Sequence, residues 1–114
     1  MSSIYQFKID SRKTDKVRAI LGLSPDDGDG ERGLLLEREI PDEGPWVDAI
    51  GEFLGVLEGK YDSLAEVGVE RSDISIWLLY EYAEQCNMEF APQTLLKLGK
   101  EGITLCVSCW QKAS

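Results

Sequence analysis

Cys106-Val107-Ser108-Cys109 sets two thiols at the CxxC spacing that redox and zinc chemistry use. Both chemistries need the two sulfurs on one side, presented by a turn or a helix start. Here the pair lies inside a β-periodic run, Ile103 to Gln111, where residues three apart point to opposite faces. The expected role is therefore structural, as small half-buried apolar groups. A zinc site that recruits Cys86 and a carboxylate is the alternative, and no metal ligand is nominated. Three cysteines leave at least one thiol free unless chains cross-link. The sequence holds no histidine, which excludes Ser-His-Asp and Cys-His catalysis and any His-bearing metal site.

Carboxylates offer a second chemistry. Asp27-Gly28-Asp29-Gly30-Glu31 looks like the start of a calcium loop. That motif wants Gly at its sixth position and Glu at its twelfth, and counting from Asp27 these are Arg32 and Arg38. The match fails, and a flexible acidic turn is expected. Neither GxxxxGK[ST] nor GxGxxG occurs, so no phosphate cradle is predicted. Glu81, Glu84 and Glu89 gather around a strand end, with Tyr82 and Asn87 between them. An acid/base pair would need a pocket and opposed pKa shifts. These residues define a small-ligand or carboxylate-enzyme alternative. The leading expectation is a non-enzymatic protein with no catalytic residue and no cofactor.

The charge narrows the partners. Among 114 residues, 21 are acidic and 12 basic, a net charge of −9. Affinity for nucleic-acid phosphates needs clustered Lys and Arg, so a nucleic-acid partner is not expected. From Ser24 to Glu70 there are 14 acids and 3 bases, whereas the remaining residues carry 7 acids and 9 bases. This asymmetry reads either as a solvated, solubilising surface or as a docking face for a basic partner. The carboxylates nominated for docking are Asp26, Asp27, Asp29, Asp42 and Glu43. Steering of that kind weakens as salt rises. No apolar run approaches the roughly 18 residues of a membrane helix. The opening residues MSSIYQFKID lack the basic-then-apolar order of a signal peptide. Together with the free thiols, this predicts a cytoplasmic protein.

An apolar fraction of 43% suits one core, and no repeat or linker divides the chain, so a single domain over 1–114 is expected. Ile4 to Asp10 alternates, with Tyr5, Phe7 and Ile9 opposite Gln6, Lys8 and Asp10, and reads as a half-buried strand. Ser11 or Thr14 caps the helix that follows. Its apolar stripe is Val17, Ile20 and Leu21, its wet basic face is Arg12, Lys13, Lys16 and Arg18, and it stops at Gly22. Gly33 to Ile40 is a second strand whose Glu-Arg-Glu end suits an edge. A second helix is predicted to start near Pro45, with Trp46, Val47, Ile50, Phe53, Leu54 and Leu57 on the core side. Gly51, Gly55 and Gly59 then read as close approaches of that helix to the sheet. Leu64 to Val67 suggests one more helical turn.

Asp73 to Tyr82 is the strongest strand, apolar on both faces and so expected to be central or to have its second face covered by another element. Pro92 opens a helix with Leu95, Leu96 and Leu98 inward and Gly102 as its stop, and Ile103 to Gln111 is the last strand. The order is β-α-β-α-β-α-β. It fits either a parallel sheet covered on both sides or an α+β single-domain sandwich. The α+β form is preferred, with a roughly four-stranded sheet and helices mainly on one face, because the first strand alternates cleanly and the chain is short for covering two faces. If the strongest and last strands are neighbours, Trp77, Leu79, Glu81, Cys106, Ser108 and Trp110 share the second sheet face. That would be an aromatic patch rimmed by polar groups, a pattern typical of contacts; the alternative is that a loop or the acidic 24–45 segment covers it.

The run ISIWLLYEYAEQCNMEFAPQTLLKLGKEGITLCVSCWQ resembles a family of small bacterial proteins grouped only as domain of unknown function 4279. The likeness rests on the Ile74 to Ile76 strand, the Cys86 to Phe90 turn, the Pro92 to Leu98 helix and the Leu105 to Cys109 strand. Val107 stands where that pattern often has Ile. The resemblance implies a compact α+β fold in a bacterial cytoplasm and brings no catalytic residues. Some members of such families sit in toxin–immunity contexts. The leading expectation is therefore a small protein-binding module, one concrete form being an immunity-type inhibitor of a basic partner. The alternative within binding is a homodimer joined through the open sheet face.

Overall fold

The computed structural model describes residues 3–41 and 47–113. One five-stranded mixed sheet carries four helices, so the fold is α+β. The strands are β1 (Ser3–Asp10), β2 (Asp29–Gly30), β3 (Gly33–Ile40), β4 (Ile74–Tyr82) and β5 (Thr104–Gln111). The helices are α1 (Thr14–Leu21), α2 (Ala49–Leu57), α3 (Tyr61–Glu66) and α4 (Pro92–Glu101). The sheet order is β2-β3-β1-β4-β5. All neighbours are antiparallel except β4 and β5, which run parallel across the α4 connection. A parallel pair needs a crossover element of this kind. No helix among the described residues is long and apolar enough to cross a membrane.

One core holds the two layers together. Phe7 and Ile9 of β1, Leu34 of β3, Ile74 and Ile76 of β4, and Ile103 just before β5 meet Val17 and Leu21 of α1, Ile50, Phe53, Leu54 and Leu57 of α2, Leu64 of α3 and Leu98 of α4. Phe7 stacks on Phe53 with ring centroids 5.1 Å apart. Each fully buried side chain of this size contributes about 1.5–3 kcal/mol of transfer free energy. All four helices thus pack on the sheet face of Phe7, Ile9 and Ile76. The alternate residues of the strands turn the other way.

Local chemistry explains most element ends. Gly22 and Gly102 adopt left-handed conformations, φ 72° and 70°, and close α1 and α4. Pro92 occupies the first turn of α4, where a missing N–H costs nothing. Asp48 caps α2 by accepting from the Gly51 N–H at 2.9 Å. A 3₁₀ turn at Arg71–Asp73 leads into β4, with the Glu70 N–H donating to Asp73 Oδ2 at 2.9 Å.

Several sequence expectations need correction. The sheet has five strands, not four, because the acidic turn folds back as the two-residue β2 against Gly33 and Leu34. The helical turn expected around Leu64 to Val67 is present as α3, although the expected element order did not count it. Thr14 and Ser11 do not cap α1 with a side chain, although Ser11 Oγ accepts from the Lys13 N–H at 3.0 Å. Pro45 and Trp46 lie outside the described residues. Gly51 makes room for its capping Asp48, and a Cβ on Gly55 or Gly59 would meet nothing within 4 Å, so the three glycines do not mark helix–sheet contact. Leu95 and Leu96 are exposed, and only Leu98 of that trio reaches the core. Arg18 is 5% exposed rather than on a wet face.

Candidate functional site: the open sheet face

The side of the sheet away from the helices is built by strand alternation. Antiparallel or parallel partners in register share a face, so each pairing places a row across it. One row joins Glu37, Gln6, Trp77 and Cys106. The next joins Glu39, Ile4, Leu79 and Ser108. A third pairs Glu81 with Trp110. Leu35, Lys8 and Ser75 form the row on the other side. The six residues expected to lie together on one face, Trp77, Leu79, Glu81, Cys106, Ser108 and Trp110, are thus brought together by the β4–β5 pairing.

The two tryptophans are fixed by polar contacts within the face. Trp77 donates its indole N–H to Ser75 Oγ at 3.0 Å, and the Lys8 ammonium sits 4.5 Å from the Trp77 ring centroid. Trp110 donates to Glu81 Oε2 at 3.0 Å. Gln6 Nε2 donates to Glu37 Oε2 at 3.2 Å. Both indole donors are satisfied, so the rings present apolar surface without an unpaired N–H. Trp77 and Leu79 are half-buried by their strand neighbours, while Trp110 is 45% exposed at the sheet margin. Gln6, Lys8, Leu35, Ser75 and Trp77 line a groove of about 570 Å³ that ends against the turn at Gly30–Gly33. The result is an apolar centre of Ile4, Leu35, Trp77 and Leu79, with carboxylates of Glu37, Glu39 and Glu81 around it.

The acidic docking residues fare differently. Asp42 and Glu43 lie outside the described residues. Asp26 is exposed in the turn after α1. Asp29 is engaged by Arg18, whose guanidinium also bonds Asp15 Oδ1 at 2.9 Å and the Asp27 carbonyl at 2.6 Å. Asp27 Oδ2 accepts from the Ser24 N–H at 3.3 Å. The turn is thus a clasp around a buried cation, and part of its charge is used internally. Spacing alone hid this, because Arg18 follows Arg12, Lys13 and Lys16 in the chain, and those three do face solvent. The acidic segment instead meets the aromatic face through Glu37 and Glu39, which were not nominated. Their alternation with Arg38 was the available signal. Arg38 turns to the helix side, with its Nε 3.6 Å from Glu52 Oε2.

The carboxylate-enzyme residues do not converge. Glu81 belongs to the open face and bonds Trp110. Glu89 lines a groove of about 610 Å³ on the helix side, beside Tyr5, Asp48 and Ile50. Burial, and then the Asp48 charge, push the Tyr5 phenol above its ordinary pKa. Asn87 is exposed in the connecting loop. Cys106 and Cys109 fall on opposite faces, as the β pattern requires. The Cys109 thiol lies beside Cys86. Burial, and then that neighbouring thiol, raise the Cys86 pKa. Among the described residues no cluster of three or more Cys, Asp or Glu side chains is placed to hold a metal ion. Comparison of the chain with protein-family models, curated proteins and solved structures found no match.

Proposed function

We propose that this chain is a non-enzymatic protein-binding module that presents its open sheet face to a basic protein partner. The observation that carries the reading is the face itself: two tryptophans with satisfied indole donors around an apolar centre, with Glu37, Glu39 and Glu81 at the rim. Trp is enriched where binding energy concentrates. Rim carboxylates add rate and selectivity for a cationic surface. An immunity-type inhibitor of a basic toxin is one concrete form, and it draws on the resemblance carried by residues 74–111. A homodimer through this same face is disfavoured, because two copies would set like-charged rims against each other, which costs affinity. The compartment consistent with this role is the cytoplasm.

Capture from an extract of the source cells, with bound proteins identified by mass spectrometry, tests the reading. A basic protein should bind the natural chain, bind less as salt rises, and be lost with Trp77→Ser or Glu81→Lys. It should be retained by Asp62→Lys on α3, away from the face. Equal capture by all four chains would refute it.

A further inference from the structure

Cys86 and Cys109 meet although the whole of α4 lies between them in the chain. The sheet explains the meeting. Cys109 pairs with Tyr80 across β4 and β5, on the face that carries the helices. β4 ends at Tyr82, and two bonds pin the turn that follows to the end of β5. The Lys112 N–H donates to the Tyr82 carbonyl at 2.6 Å, and Gln111 Nε2 donates to the Ala83 carbonyl at 3.1 Å. Residues 83–91 then run back under the helix side, where Phe90 packs against the core and Pro92 begins α4. Cys86 lies between these two fixed points, its thiol in hydrogen-bond contact with that of Cys109. Cys106 sits on the opposite face, paired with Trp77. All three thiols are free, with Cys109 exposed and Cys86 half-buried.

We infer that Cys86 and Cys109 form a reversible disulfide site that accepts low-molecular-weight disulfides of the glutathione class. Exposed Cys109 is the thiol that an incoming disulfide reaches first. Its thiolate attacks one sulfur of the reagent, which forms a mixed disulfide and releases one small thiolate. The Cys86 thiolate then attacks the Cys109 sulfur, closing the protein disulfide and releasing the second small thiolate. The two protons given up by the protein thiols go to the two released thiolates. The cysteine pair loses two electrons, and the reagent gains them as it becomes two thiols. An excess of reduced thiol runs the same steps backwards, as suits a transient disulfide in a reducing compartment. Burial, and then the neighbouring thiol, raise the Cys86 pKa, so the closing step quickens as pH rises. Once closed, the bridge fastens residues 83–91 to the outer strand of the sheet. The open face of Trp77 and Leu79 takes no part, so the site stands independently of the proposed partner.

Peptide mapping after incubation with glutathione disulfide tests it, with the remaining thiols blocked by alkylation. The natural chain should carry a Cys86–Cys109 disulfide and leave Cys106 free to alkylate. Residues 83–91 should gain protection from hydrogen exchange, and an excess of reduced glutathione should reverse both changes. Cys86→Ser should stop at a glutathione adduct on Cys109, and Cys106→Ser should form the bridge as the natural chain does. In denaturant the pairing should lose its preference, because the fold and not the spacing sets it. A bridge that includes Cys106 in the folded chain would overturn the inference. So would glutathione adducts that persist on the natural chain without a bridge, or a natural chain that stays fully reduced.

Discussion

The Lys8 ammonium lies over the Trp77 ring, 4.5 Å from its centroid, on the face of the sheet that no helix covers. Lys8 and Trp77 come from adjacent antiparallel strands, diagonal to each other on one face: Lys8 pairs with Ser75 and Trp77 with Gln6. The contact fixes the indole at the centre of the open face and keeps one cation among the rim carboxylates.

Lys8→Met should remove the cation–π contact and keep most of the apolar stem. The expected cost is about 0.5–1 kcal/mol, typical of an exposed pair. Denaturant melts measure it. The Trp77 emission should shift at the same time, because its ring loses the charge above it. No change in either would mean that Lys8 leaves the ring in solution.

Arg18→Met should cost about 1.5–3 kcal/mol, the value of hydrogen bonds to a charged group. The cost stays moderate because the carboxylates left behind, Asp15 and Asp29, are solvent-exposed and rehydrate. The turn from Ser24 to Gly30 should become the first site of proteolysis. A variant as protease-resistant as the natural chain would show that β2 pairing alone holds the turn.

Gly33 and Gly55 should respond in opposite directions to alanine. Gly33 has φ 146°, and a Cβ there would collide with the Ile9 carbonyl and come within 2.7 Å of the Ser11 nitrogen. Gly33→Ala should cost at least about 2 kcal/mol. Gly55 sits within α2 with open space around it, so Gly55→Ala should gain about 0.5–1 kcal/mol. Thermal melts of the two variants decide the matter.

Tyr61 should tolerate loss of its hydroxyl. Arg71 stacks over its ring at 3.4 Å, while the hydroxyl and Glu101 Oε2 are both buried without a hydrogen-bond partner among the described residues. Tyr61→Phe should change stability by no more than about 1 kcal/mol. Burial, and then the Glu101 charge, hold the Tyr61 phenol above its ordinary value of 10.0, against the opposing Arg71 charge. Tyr5 is raised in the same way by burial and Asp48. The folded chain therefore keeps these protons longer than the unfolded chain. Stability should hold below pH 10 and fall as pH rises past it. Tyr61→Phe should flatten that fall, as read from melts across alkaline pH.

Much of the frame was readable in the residues. The alternation of Tyr5, Phe7 and Ile9, the two-sided apolar β4, Pro92 as a helix start, and Gly22 and Gly102 as stops follow from local sterics and capping. So does the joint placing of Trp77 and Trp110, once β4 and β5 are neighbours. What local pattern lacks is the third dimension. Arg18 looks like its basic helix neighbours until the turn folds onto it. The two-residue β2 is too short for periodicity. Leu95 and Leu96 fit a helical stripe that the sheet edge leaves uncovered. The meeting of Cys86 with Cys109 depends on how the loop after β4 returns, which no spacing encodes.

Cross-linking from inside the open face is the decisive experiment for a basic protein partner. A photoreactive phenylalanine analogue replaces Leu79, the chain is expressed in its own cells, and the adduct is identified by mass. An adduct should form with a basic protein other than this chain and be absent when the analogue sits at Ser63 on α3. An adduct only with a second copy of the chain, or no adduct from Leu79, would contradict it.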